Sequence, residues 1–145
     1  MTDTENTTPP GWTLLFATWV IASIATAGSL FFSMVMDLPP CVLCWYQRIA
    51  LFPLVLILPA GLLRFDRGVV RYALPLAISG WAIAAYHNAL YFGLIPASVQ
   101  RCEQGVSCTE RHLELFGFLD IPLLSLIGFS AIITLLVALH RKALA

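Results

Sequence analysis

Two cysteines three residues apart, Cys41 and Cys44, sit inside Pro39-Pro40-Cys41-Val42-Leu43-Cys44-Trp45-Tyr46-Gln47-Arg48. Proline fits the residues just before a helix or its first turn, so a helix is expected to begin near Cys41 to Cys44 and to run into the apolar stretch Ile49 to Leu63. A thiol at a helix N-terminus feels the partial positive charge of unpaired N–H groups, which favours thiolate over thiol. Arg48 follows Cys44 by four residues and on a helix shares its face, one turn away. A fixed cation at that distance from a reactive sulfur suits stabilising a thiolate or a nearby electron-rich acceptor.

The elements that must position this motif are apolar. The chain has 145 residues, 59% hydrophobic and 11% charged, too oily for a soluble domain of this size. Four stretches account for the excess: Trp12 to Met36, Trp45 to Leu63, Tyr72 to Ile95 and Ile121 to Leu139. Each is roughly 19 to 25 residues long, enough at ~1.5 Å per residue to cross a ~30 Å hydrocarbon core. The expected fold is therefore all-α: a single domain over residues 1–145, an integral membrane four-helix bundle whose two cysteine-bearing loops, the redox loops of the reading below, lie on one side. Met1 to Gly11, polar and rich in Thr and Pro, reads as a short mobile tail. The formal net charge of +0 gives no support to nucleic-acid binding.

Ala25-Thr26-Ala27 has the small-x-small look of a signal-peptide cleavage site. The N-terminus lacks Lys and Arg, however, and the apolar run continues to Met36, so the expectation is a retained helix. With four crossings, Arg64, Arg67, Arg71, Arg141 and Lys142 fall on one side, against Arg48, Arg101 and Arg111 on the other. That bias predicts cytoplasmic termini. All four cysteines, Cys41, Cys44, Cys102 and Cys108, then face the extracytoplasmic side, where disulfides form and persist.

The third stretch is polar in its outer half, with Tyr86-His87-Asn88. A His and an Asn in a membrane span are costly unless hydrogen-bonded; they either tie the bundle together or, for His87, face a polar ligand held between helices. Pro53 and Pro59 in the second stretch predict a possible kink, relieved where neighbouring helices re-satisfy the freed carbonyls. The long loop from Pro96 to Asp120 carries Cys102 and Cys108, close enough to close a small ring, and the apolar segment Leu113 to Leu119, expected to lie in the membrane interface over the site.

Three readings of the cysteines follow. A structural disulfide framework is possible, although a Cys-x-x-Cys bridge closes too short a loop to stabilise much. A four-cysteine zinc site is chemically available, with atypical spacing and an oxidising compartment against it. Redox catalysis, one pair passing oxidising equivalents to the other by thiol–disulfide exchange, is the only reading that also accounts for Arg48 and the polar end of the third helix.

The segment Pro40-Cys41-Val42-Leu43-Cys44-Trp45-Tyr46-Gln47-Arg48 resembles the first-loop motif of the DsbB-type thiol:disulfide oxidoreductases, in particular their short BdbC-like branch. Ser107-Cys108-Thr109, Phe116-Gly117-Phe118 and Ile121-Pro122-Leu123-Leu124-Ser125-Leu126 look like the end of that family's second loop and its fourth helix. Tyr86-His87-Asn88 sits where the family has a membrane histidine near its quinone. The likeness runs from about Trp12 to Leu139; the close spacing of Cys102 and Cys108 departs from the longer members. The resemblance implies an enzyme of the bacterial cytoplasmic (inner) membrane that reoxidises a thioredoxin-like disulfide donor and passes the electrons to a membrane quinone, ubiquinone or menaquinone. It implies attack by the partner on a Cys102–Cys108 disulfide, at Cys102, followed by reduction of Cys41–Cys44. Cys44 would then face the quinone, with Arg48 and His87 as its polar contacts.

Alternatives are a vitamin K epoxide reductase-like quinone reductase and a non-enzymatic membrane protein binding zinc through its four cysteines. In the former the quinone-facing Cys-x-x-Cys lies late in the bundle, whereas here it precedes the second helix. A small multidrug-type exporter would need a membrane carboxylate, and none lies in the four spans.

Overall fold

The computed structural model describes residues 11–37, 39–64, 66–95 and 121–144. These residues form four α-helices: α1 (Trp12–Met34), α2 (Val42–Arg64), α3 (Val70–Tyr91) and α4 (Ile121–Leu144). Each is long and apolar enough to cross a membrane, so the chain is a multi-pass membrane protein. Cys102, Cys108, the segment Leu113 to Leu119 and the N-terminal tail as far as residue 10 lie outside the described residues.

Large apolar side chains such as Ile24, Leu56, Leu63 and Tyr72 point outward, as expected of helices solvated by lipid. The interior is built from Leu15, Leu54, Leu58, Ile132, Leu136 and Leu139, all but fully enclosed. Lipid tails are as apolar as leucine, so these contacts hold the helices by close packing and not by exclusion of water. Close approach needs small residues, and α3 supplies them at Ala73, Ala77, Gly80 and Ala84, all buried. At Gly80 the ring of Phe129 from α4 occupies the space a Cβ would need. The same stripe, three and four residues further on, turns His87 and Asn88 into the bundle.

Pro59 has no N–H to give the carbonyl of Val55, four residues back in α2. The indole Nε1 of Trp19, on α1, donates to that carbonyl at 3.3 Å. A neighbouring helix thus repairs the break, and α2 continues past both of its prolines to Arg64. Between α2 and α3, Asp66 accepts from the Gly68 N–H at 2.7 Å and starts a single 3-10 turn, Arg67–Val69.

Two boundaries differ from the apolar stretches. The first helix ends at Met34, not Met36, and Asp37 turns the chain with φ 51°, a conformation Asp tolerates better than most residues. The third helix ends at Tyr91 and not near Pro96. Leu94 N–H donates to Ala89 O at 2.9 Å and Gly93 N–H to Leu90 O at 3.1 Å, with Gly93 at φ +70°. That is a Schellman termination, which a glycine at this position makes cheap and which hydropathy alone does not see.

Candidate redox site at the start of the second helix

The Trp45 N–H donates to the Cys41 carbonyl at 3.1 Å, so Cys41 is the N-cap of α2 and Val42 its first full member. The cap is made by sulfur: Cys41 Sγ accepts the backbone N–H of Cys44 at 3.3 Å. Both thiols are free, and their sulfurs stand 2.7 Å apart, within hydrogen-bond reach. Cys41 is buried and Cys44 half-buried. Cys41, just ahead of the span, is held below the ordinary thiol range, first by the hydrogen bond from the Cys44 thiol and then by His87 and the Cys44 backbone N–H. Burial opposes these and is outweighed.

Each flank of the pair has a different neighbour. Toward α3, His87 Nε2 lies 3.9 Å from Cys41 Sγ, and Gln47 Nε2 donates to His87 Nδ1 at 3.3 Å. With the amide so oriented, Nδ1 is the acceptor and the ring proton sits on Nε2, aimed at sulfur. His87 and Gln47 are 3% and 8% exposed. Toward α1, Arg48 donates from Nε to the Ser29 hydroxyl at 2.8 Å and from Nη2 to the Ser29 carbonyl at 2.6 Å. Its guanidinium carbon lies 5.4 Å from the centre of the Trp45 ring. Arg48 is 8% exposed, and no carboxylate among the described residues pairs with it.

Four of the six residues singled out from sequence, Cys41, Cys44, Arg48 and His87, therefore meet at one end of the bundle. Cys102 and Cys108 lie outside the described residues. His87 and Asn88 both make hydrogen bonds across helices, His87 to Gln47 of α2. Asn88 ties helices together, its Nδ2 donating to Ala84 O at 2.8 Å and to Pro122 O at 2.7 Å, whereas His87 faces sulfur. Gln47 and Ser29 were not among the six. Gln47 extends the buried series Leu51, Leu54 and Leu58 toward the N-terminus of α2, a spacing that marks it as inward-facing. Ser29, one hydroxyl among several on α1, gave no signal of a role at the site.

A profile described as "Disulfide bond formation protein DsbB" matches residues 11–139. The chain belongs to the DsbB family. It is 45% identical over 140 residues to a "Probable disulfide formation protein" of Metapseudomonas resinovorans, covering 94% of this chain and 97% of the relative. It is 52% identical over 119 residues to a "Probable disulfide formation protein C 2" of Bacillus anthracis, covering 81% and 84%. The "Disulfide bond formation protein C" of Bacillus subtilis is 44% identical over 119 residues, covering 82% and 86%. No solved structure matches. Membership of the DsbB family makes the chain a thiol:disulfide oxidoreductase of the disulfide-forming class.

Cys41, Cys44 and His87 also present donor atoms within 4.8 Å of one another, a soft set of a kind zinc accepts. Arg48 fits a different ligand: among the described residues Nη1 has no partner and no carboxylate pairs with the guanidinium, and a buried cation so placed favours an oxygen that acquires negative charge.

Proposed function

We propose that this DsbB-family protein reoxidises a thioredoxin-like thiol oxidase outside the cytoplasm and delivers the electrons to a membrane quinone, ubiquinone or menaquinone. The observation that carries the quinone half is Arg48: buried, one turn beyond Cys44, and held among the described residues by neutral groups alone. The excess of Arg and Lys at Arg64, Arg67, Arg71, Arg141 and Lys142 supports an inner-membrane orientation with cytoplasmic termini and all four cysteines extracytoplasmic.

In this reading the partner's thiolate attacks Cys102 of a Cys102–Cys108 disulfide. The second partner thiol then displaces Cys102, leaving the partner oxidised and both loop thiols reduced. The loop dithiol reduces Cys41–Cys44 by the same exchange. Reoxidising that pair releases two electrons and two protons. A bound quinone supplies the two-electron, two-proton acceptor, while the protein supplies position and electrostatics. The Nε2–H of His87 stabilises the Cys41 thiolate, and the N-cap geometry adds the helix N-terminus to that effect. Arg48 and Cys44 would hold the acceptor's oxygens and ring.

The test is thiol trapping during turnover with a reduced thioredoxin-like partner and quinone. Cys102→Ser should abolish oxidation of the partner yet leave Cys41 and Cys44 oxidised. Accumulation of reduced Cys41 and Cys44 in that variant, with quinone present, would reverse the proposed order of electron flow. Stoichiometric zinc in the purified protein would favour the metal-binding alternative.

A further inference from the structure

Arg48 could have satisfied its guanidinium in several ways, and the fold uses one residue twice. The Ser29 hydroxyl takes Nε at 2.8 Å and the Ser29 carbonyl takes Nη2 at 2.6 Å. The Ser33 hydroxyl lies against the same turn of α1, its proton shared between the Leu30 carbonyl at 3.2 Å and the Ser29 carbonyl at 3.3 Å. Two bonds along the Nε–Nη2 edge of a planar fork fix both its position and its plane. Trp45, near the guanidinium from α2 itself, bounds the group on another side. What remains is Nη1, with no partner among the described residues.

We propose that Ser29 is a positioning residue for the acceptor site: it locks the Arg48 guanidinium so that its Nη1 edge is offered to an anionic oxygen beside Cys44. This rests on the quinone reading above and extends it to α1. The acceptor's polar end is then bounded by α1 and α2, on the Arg48 flank of the cysteine pair, while His87 and Gln47 serve Cys41 from the α3 flank. The competing explanation is a simple staple between α1 and α2, and the two make different predictions. A staple lowers stability when cut and leaves acceptor binding alone. A positioning contact changes acceptor binding, and does so only while Arg48 is present.

The experiment is an equilibrium titration of the purified, detergent-solubilised protein with a short-chain ubiquinone, read by quenching of tryptophan fluorescence and independent of turnover. Ser29→Ala keeps the backbone carbonyl and loses the hydroxyl, so binding should weaken about three- to tenfold. Ser29→Thr, which restores a hydroxyl, should return it to within about twofold of wild type. In an Arg48→Ala background, Ser29→Ala should have no further effect, because the group it positions is gone. Should Ser29→Ala not accumulate in the membrane, Ser29→Cys, a weaker acceptor of similar size, takes its place. Wild-type affinity in the Ser29 variant, or an equal loss with and without Arg48, overturns the positioning role. No saturable quenching in the wild-type protein overturns the quinone reading itself.

Discussion

Trp19 and Pro59 are coupled through an atom that belongs to neither: the carbonyl of Val55, left without a helical donor by the proline and capped by the indole N–H at 3.3 Å. Water is absent at this depth, so an unsatisfied carbonyl carries its full cost. Trp19→Phe should therefore lower thermal stability by about 0.5–1.7 kcal/mol, the range for hydrogen bonds between membrane helices. Pro59→Ala returns an N–H to α2, so the loss should shrink in the double variant. Thermal unfolding of the four proteins in one detergent measures the coupling, and additive losses would dissociate the two residues.

The Cys41 thiol lies below its ordinary range, so the sign of its pH dependence is set. An unperturbed thiol becomes unreactive as pH falls below ~8.5, whereas Cys41 should keep its thiolate well below that value and lose it only on passing the lowered pKa. The rate of iodoacetamide alkylation against pH is the measurement, with Cys44, Cys102 and Cys108 replaced by serine. Serine at 44 retains a hydroxyl donor toward Cys41. His87→Phe removes a second stabilising contact and should move the profile to higher pH. A profile like that of a free thiol would remove His87 and the helix N-terminus from the mechanism.

Arg48→Lys tests whether a positive charge suffices. Lysine cannot bond the Ser29 hydroxyl and carbonyl from one planar group while leaving a third donor free. Abundance in the membrane should be retained, and the KM for quinone should rise roughly 10- to 150-fold, the equivalent of one lost charge-assisted hydrogen bond. Arg48→Ala should raise it further. Unchanged quinone kinetics in the lysine variant would reduce Arg48 to a membrane anchor.

At the α3–α4 contact, Phe129 fills the space over Gly80. Gly80→Ala should cost about 1–3 kcal/mol through overpacking. Phe129→Leu should recover part of that loss by freeing room, at the expense of some packing of its own. Equal stability of wild type and Gly80→Ala would mean that the ring moves aside freely.

Much of this protein is written locally along its chain. Four spans follow from runs of apolar residues, because a helix is the one open-chain structure that satisfies its own backbone inside lipid. The Cys41–Cys44 pair, the helix that starts there and Arg48 one turn on depend only on spacing within a single helix. His87 was legible as well, since an ionisable group in an apolar span needs a reason. The end of α3 at Tyr91 was written in Gly93 but hidden beneath the hydropathy of Phe92, Leu94 and Ile95. What tertiary structure alone decided is which side chains meet across helices. Ser29 lies 19 residues from Arg48, Trp19 lies 36 from Val55, and Gln47 lies 40 from His87. Neighbouring positions on a helix point about 100° apart, so Gln47 turns toward α3 while Arg48 turns toward α1. Which face meets which helix depends on the rotation and crossing of all four, and these are fixed by close packing at small residues such as Gly80, not by the order of residues near the site.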